Sequence, residues 1–559
     1  MTPQASGFAP TISTARHRVL CVTLLALLAL QVLLTSRQMS PAYDEVGKLP
    51  AGYVFLKTGR WNIMPEHPPL LHALSALPLL ALSPRLDLTD PWLTRQPTNR
   101  WNVGLNFLSL NDDDDRLFFW ARLSTLLLSL LLGYAVYRWA QELYGGNAAL
   151  MALLLYAFCP TTIAFSSLTS DDIGLSCFFT LSLYAFWRFL ADGTWHHLLW
   201  TGLLLGCALA SKTSAVILPP LFLILMLLAI WSHSGRRRDD ARAPAAAAPW
   251  SFPCGAAPLR DRLGRPLAAL ALIFLMALGI LYTTYLFPND PLFYVRAVLI
   301  TPRMVPPTHP YYMMGSFSVT GWWYYFPLAY AIKTPIPMLL LIPAALWHWW
   351  RQGGRWFREL FLLLPAFAHF IFMAALAPQI GLRFLLPSYP LLFIFVSRTA
   401  PLFTQRRAGA VVGIVLAAWY LSTPLRIYPD YLAYFNEFVG GPKHGIEYLD
   451  DSNIEWGQHL KRLKRYLDEH KSERARLIYF TTGRPEYYGI RTPRMRLSDL
   501  ARPPSPGIYI IGAYDLIRAR AYYGIDWLKR YEVIDRIGYS IFVFRVGRHG
   551  DEEGPPGSH

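Results

Sequence analysis

Six ionisable side chains stand at the edges of long apolar blocks. Asp44 and Glu45 follow the first block in SPAYDEVGKLP, and His67 lies in YVFLKTGRWNIMPEHPPL, where Pro68 and Pro69 fix the chain beside it. Asp171 heads the fourth block, Lys212 separates two blocks in ALASKTSAV, and Arg383 follows the ninth in APQIGLRFLLPSYP. An ionisable group costs about 2.5–3.5 kcal/mol at the centre of a bilayer, so such groups face water, a partner or a cavity. A carboxylate can take a proton and a cation can hold a phosphate, so acids and bases at one depth suit chemistry on a lipid phosphate. Charges that reach water by snorkelling would occupy the same positions. Adjacent acids such as Asp44 and Glu45 do not by themselves choose between these readings.

The elements that must position these residues follow from the hydropathy pattern. The chain has 559 residues, 53% of them hydrophobic, and apolar blocks recur from Leu20 to about Pro424. Blocks of roughly 20 apolar residues predict membrane-spanning helices. Eleven spans are expected, at 18–36, 117–139, 147–166, 172–190, 196–211, 213–231, 266–287, 334–350, 359–377, 383–397 and 408–425. The run after Arg16 and Arg18 is long for a signal peptide and no small-residue cleavage site follows it, so it reads as a retained helix. The formal net charge of +16 comes from basic residues between the apolar blocks, a distribution that orients membrane helices and argues against nucleic acid. With residues 1–17 cytoplasmic, every cytoplasmic connection carries arginine, Arg138, Arg188, Arg351 and Arg398 among them. That topology puts Asp44, His67, Asp171, Lys212 and Arg383 at the outer interface and the C-terminal domain outside the cell. The fold class expected is therefore a polytopic α-helical membrane protein with a small α/β extracytoplasmic C-terminal domain.

Between the spans lie two unusual connections. The first outer loop, 37–116, is too long for a connector and its tryptophans suit short helices at the membrane surface. Its acidic run, Asp112 to Asp115, reads as a solvated loop end or helix cap, or as a cation site. The cytoplasmic loop 232–265, rich in Ala, Pro and Arg, reads as a flexible linker. Beyond the spanning body (18–425), residues 426–548 form an α/β domain, with a helix over Ile454–His470, strands at Arg476–Phe480, Gly507–Gly512 and Tyr539–Val546, and a disordered tail over 549–559. Asp450, Asp451, Asn453 and Glu455 suit either a turn with Ser452 or Asn453 as helix cap, or a site for an acceptor or metal. The five cysteines show no metal-ligand spacing and read as small buried hydrophobes.

Taken together, the Asp-Glu pair at 44–45, Tyr53, Gly59, EHPPL at 66–70, the Asp at the head of the fourth span, SKTSA at 211–215 and GLRFLLPSYP at 381–390 resemble the C-type (GT-C) glycosyltransferases. The likeness is to the branch of protein O-mannosyltransferases and lipid A aminoarabinose transferases. YFNEFVGGPKHGIEYLDDSNIEWGQ (434–458) is similar to a domain attached to many bacterial members. The resemblance implies transfer of a sugar from a polyprenyl-phosphate carrier to a hydroxyl of a protein, lipid or glycan, with inversion, at the periplasmic face of a bacterial inner membrane. It implies Asp44 as general base, with Glu45 beside it and Asp171 orienting acceptor or base. Lys212 and Arg383, with His67, would hold the donor phosphate. No cofactor is required by it, although some members use a divalent metal, and a site near Asp44, Glu45 and His67 is compatible with that. The absence of a Gly-rich nucleotide loop fits a lipid-linked donor. A glycolipid transporter or flippase is the alternative. It would more often show internal repeats and midplane breaks, and none is evident in the sequence.

Overall fold

The computed structural model describes residues 14–94, 99–234, 259–352, 356–470 and 475–547. Most of the 232–265 loop, the 549–559 tail and Cys254 therefore lie outside the described residues.

Among the described residues, seven helices are long and apolar enough to cross a membrane, or up to nine if each of two bent pairs is one span. The seven are Ala15–Gln38, Asp114–Tyr144, Asp171–Asp192, Thr213–Ser232, Leu263–Thr284, Phe357–Leu376 and Arg407–Ile427. The bent pairs are Gly146–Ala157 with Pro160–Ser166, at 62°, and Tyr325–Lys333 with Ile336–Arg351, at 111°. Proline explains both breaks: Pro160 opens the first continuation and Pro335 precedes the second, and neither has an N–H to carry the helix through. Large side chains such as Val19, Leu127, Leu275 and Ile414 point outward from these helices, as a lipid solvent permits. The Asp171–Asp192 helix is the central one, with 72% of its apolar window buried, against 17% for the peripheral Arg407–Ile427.

The expected count of eleven is not met. The segments expected to span at 196–211 and 383–397 are helices of 15 and 10 residues, Trp195–Leu209 and Ser388–Ser397. Both are short of the roughly 20 residues a straight span needs. The second loses its first turns to the Leu382–Leu385 3₁₀ segment that carries Arg383.

The first long loop folds into helices Glu45–Thr58, Leu70–Leu82 and Arg100–Asn111. They pack closely: a Cβ on Gly52 would sit 2.0 Å from the His72 carbonyl oxygen, so only glycine admits that crossing. A small hairpin pairs β1 (Tyr311–Met313) with β2 (Ser316–Ser318) between the spans expected at 266–287 and 334–350.

The C-terminal domain is α/β, as expected. β3 (Arg476–Ile478), β4 (Gly507–Gly512), β5 (Glu532–Ile537) and β6 (Ile541–Val546) form one sheet in the order β3-β4-β6-β5. β3 and β4 are parallel and the other pairs antiparallel. β5 escapes sequence reading because its EVIDRI is half charged; a bulge between Val533 and Asp535 breaks its alternation. The expected helix over 454–470 begins only at Leu460. Residues 456–458 form a bend instead, with Gly457 at a φ of +82°: Trp456 and Gln458 carbonyls accept from the backbone N–H of Tyr43 (2.6 Å) and Ser40 (3.0 Å).

Candidate active site

Asp44 precedes the first turn of the Glu45–Thr58 helix, and that geometry decides what surrounds it. Lys48 lies one helical turn on, which brings its ammonium 3.7 Å from Asp44 and 2.8 Å from Asp171. Asp171 opens the central helix, its carboxylate also 3.6 Å from His67 and 3.4 Å from His72. The next residue, Asp172, pairs with Lys212. Arg383, on the 3₁₀ segment, donates to Asp44 at 3.2 Å. The five residues expected to share one depth are thus brought into one cluster. Lys48, His72 and Asp172, none of them a candidate from sequence, complete it.

The carboxylates differ in access. The Asp44 side chain is 25% exposed and that of Asp171 4%, so Asp44 alone of the two meets an entering molecule. Burial works to raise the Asp44 pKa, but Lys48 and Arg383 outweigh it and hold the group below the usual carboxylate value. Burial acts against the Lys48 charge, yet Asp171 and Asp44 raise its pKa, so Lys48 is a cation. For His67, burial leads and Lys48 and His72 add to it, against Asp171; the imidazole sits well below its ordinary value and is neutral at pH 7.

Glu45 is placed differently. Its side chain is 1% exposed and receives Arg122 in a bidentate pair, Nε at 2.9 Å and Nη2 at 2.5 Å. The backbone N–H of Ala42 (2.8 Å) and of Thr169 (2.7 Å) complete its shell. Burial pushes its pKa up, but these partners bring it below the ordinary value. Arg122 in turn donates to the carbonyls of Ser36 and Ser40. Glu45 therefore ties together the segment before Asp44 and the turn before Asp171.

A segment of the C-terminal domain closes the other side. The Arg383 guanidinium lies 4.0 Å over the Trp456 ring, and Lys212 lies 4.8 Å over Phe384. Ser452 donates through Oγ to the Ile380 carbonyl (2.6 Å), and the Leu382 N–H donates to Asn453 Oδ1 (3.0 Å). Since 456–458 also bond to 40–43, residues 452–458 brace the segment before Asp44 against the segment before Arg383. Gly381 permits this: a Cβ there would fall 2.1 Å from Ser452 Oγ. Ser452 and Asn453 are thus braces of the site, where the sequence suggested a helix cap. Trp456 was missed because it sits in a stretch whose periodicity reads as helix.

The residues present do not fit a metal near Asp44. Glu45 is saturated by Arg122 and backbone donors, and His67 leans on Asp171. Among the described residues no group of three or more His, Cys, Asp or Glu is arranged to hold an ion.

Residues 113–250 match the family described as dolichyl-phosphate-mannose-protein mannosyltransferase. Asp171 and Lys212 fall inside the match; Asp44 and Arg383 fall outside it. A comparison with curated proteins found no significant match. Among solved structures, ArnT from Cupriavidus metallidurans bound to undecaprenyl phosphate is 13% identical, with 97% of this chain and 100% of that chain covered at a TM-score of 0.48. The Archaeoglobus fulgidus oligosaccharyltransferase in the apo form is 14% identical over 86% of this chain and 60% of that one, at 0.44. The S. cerevisiae protein O-mannosyltransferase Pmt1-Pmt2 complex bound to the sugar donor is 18% identical over 52% and 35%, at 0.35. The resemblance to C-type glycosyltransferases, carried in the sequence by ordered short motifs, is borne out by the family match over 113–250.

Proposed function

We propose that the protein is an inverting glycosyltransferase that moves a sugar from a polyprenyl-phosphate-linked donor to a hydroxyl of a protein, lipid or glycan. The observation that carries the reading is one accessible, ionised carboxylate, Asp44, held 3.2 Å from Arg383 within a cluster that includes Lys212. A hydroxyl is a weak nucleophile, so a base must take its proton as its oxygen attacks the anomeric carbon. The proton passes to Asp44 and the new C–O bond forms opposite the phosphate. The old C–O bond breaks, and its electron pair leaves with the carrier phosphate. Arg383 and Lys212, fixed before reaction, stabilise the charge that develops there, with His67 beside them. Asp171 and Glu45 act as positioning residues, the first through Lys48 and the second through Arg122.

Arg383 couples the two halves of the reaction. A donor phosphate competes with Asp44 for the guanidinium, and loss of that partner raises the basicity of Asp44 when a base is needed.

A bacterial inner membrane, with the N-terminus cytoplasmic and the site and C-terminal domain periplasmic, is supported by the arginine-bearing connections.

The test is transfer of radiolabelled sugar from polyprenyl-phosphate donors to an envelope extract, by purified protein in lipid. Asp44→Asn should lose about 10²–10⁴ in rate, as expected for a lost general base, with membrane insertion unchanged. Transfer that survives Asp44→Asn would remove the base assignment. Glycolipid translocation without sugar release, unaffected by the substitution, would select the flippase reading instead.

A further inference from the structure

A cavity of about 400 Å³ opens where the outer ends of two spans meet the C-terminal domain, and its lining is strongly basic. Arg37 comes from the end of the first span, Arg116 and Arg122 from the start of the Asp114–Tyr144 helix, and Lys461 from the Leu460–Glu469 helix. Against these four cations stands one lining carboxylate, Asp115. Asp115 is already engaged, 2.9 Å from Lys461 and accepting from the Tyr488 hydroxyl at 2.8 Å. Arg122, its donors taken by Glu45 and by carbonyls, forms the back wall.

Arg37 and Arg116 are the exposed cations. Arg37 has no ion pair among the described residues; its guanidinium lies 5.4 Å from the Phe119 ring centroid. Arg116 has only an exposed contact of 3.7 Å with Asp113. Two arginines with open N–H donors suit the tetrahedral oxygens of a phosphate. Cellward of the cavity the same two helices present bare apolar side chains: Leu27, Leu30 and Leu34 on one, Trp120, Leu127 and Leu131 on the other. The charge therefore sits at headgroup level, with an apolar face running beneath it where acyl chains lie.

We infer that this cavity binds the phosphoryl headgroup of an anionic phospholipid, with its acyl chains against the two span faces. The cavity lies on the far side of the Glu45–Arg122 pair from Asp44 and does not depend on the glycosyl-transfer reading. It joins the C-terminal domain to the membrane, because Lys461 reaches into it and donates to the Arg37 carbonyl at 3.1 Å.

The test uses the full-length protein, delipidated in detergent, with short-chain phosphatidylglycerol added and binding read by native mass spectrometry. The wild type should retain one phosphatidylglycerol at least tenfold more tightly than Arg37→Gln/Arg116→Gln, and more tightly than it retains phosphatidylcholine. Both substituted side chains are exposed, and Arg116→Gln alone, expected to show an intermediate loss, guards against misfolding of the double variant. Equal retention by wild type and both variants overturns the proposal. Protection by inorganic phosphate as strong as that by phosphatidylglycerol overturns the lipid assignment in favour of a free-phosphate site.

Discussion

Asp44 and Glu45 are neighbours in sequence and opposites in setting. Helix geometry turns Glu45 inward onto Arg122 and leaves Asp44 at the cluster's accessible edge. The electrostatics make a prediction at this scale. With Lys48 and Arg383 beside it, Asp44 lies below the ordinary carboxylate value, so in the free enzyme it stays ionised to a lower pH than an unperturbed carboxylate. The acid limb of kcat/KM, which reports the free enzyme, should therefore fall below the ordinary carboxylate value. The limb of kcat, which reports the donor complex, should lie at higher pH, since the phosphate takes Arg383. Coincident limbs would remove Arg383 from the coupling. Arg122→Ala belongs to the same scale: it strands a buried Glu45 carboxylate, and a chemical-denaturation series should show a loss of about 3–5 kcal/mol.

At the scale of elements, the brace formed by 452–458 holds the segments that carry Asp44 and Arg383 together. Gly381 is its most sensitive point. The residue is in extended backbone, so Ala is permitted by conformation and excluded only by Ser452 Oγ, 2.1 Å from the position a Cβ would take. Gly381→Ala should lower transfer at least tenfold, and adding Ser452→Ala, which deletes that oxygen, should recover most of it. If the double variant is no better than the single one, the loss does not come from this contact. Lys333 secures the same segment, its ammonium donating to the carbonyls of Leu432, Tyr434 and Asn453 at 2.5–3.0 Å.

For the whole molecule, the junction between the spanning body and the C-terminal domain holds two kinds of charge. One is a clamp: Arg484 donates to Asp114 and Asp112, and Lys461 meets Asp115, so the acidic run at 112–115 is a docking strip. The other is a buried acidic group beside the site. Burial pushes Asp450 and Asp515 up to about 7 and Asp451 to about 6, with Arg518 opposing, and drives Glu455 well above its usual value. These carboxyls hold protons in the folded state that the unfolded chain releases near pH 4. The stability they contribute is complete below about pH 4 and is lost as pH rises through about 6 to 7. Thermal unfolding at pH 5.5 should occur at a higher temperature than at pH 8, and Asp450→Asn should flatten the difference. A Tm that rises over this range would contradict the assignment.

Several features were readable from sequence because they depend on chain-local physics. Apolar blocks marked the helices, since lipid must solvate every side chain on a span's outer face, but the two proline bends within 147–166 and 334–350 were not read, because each lies inside one continuous apolar block. The candidate charges were legible because an ionisable residue at the edge of an apolar block needs a reason to be there. Alternation with glycine punctuation marked β4 and β6. What the sequence could not decide is which of two adjacent acids faces the cleft, because that depends on Arg122, 77 residues from Glu45. It could not reveal that Trp456 and Ser452 reach across from the C-terminal domain to Arg383 and Gly381, contacts over 70 residues or more that carry no local period. Nor could it count the spans, because apolarity alone does not distinguish a straight crossing from a short or bent helix buried among others. Composition and order assigned the chain to the membrane and marked most of the candidate residues; only the packing of distant segments determined which of those residues meet, and which of them is left accessible.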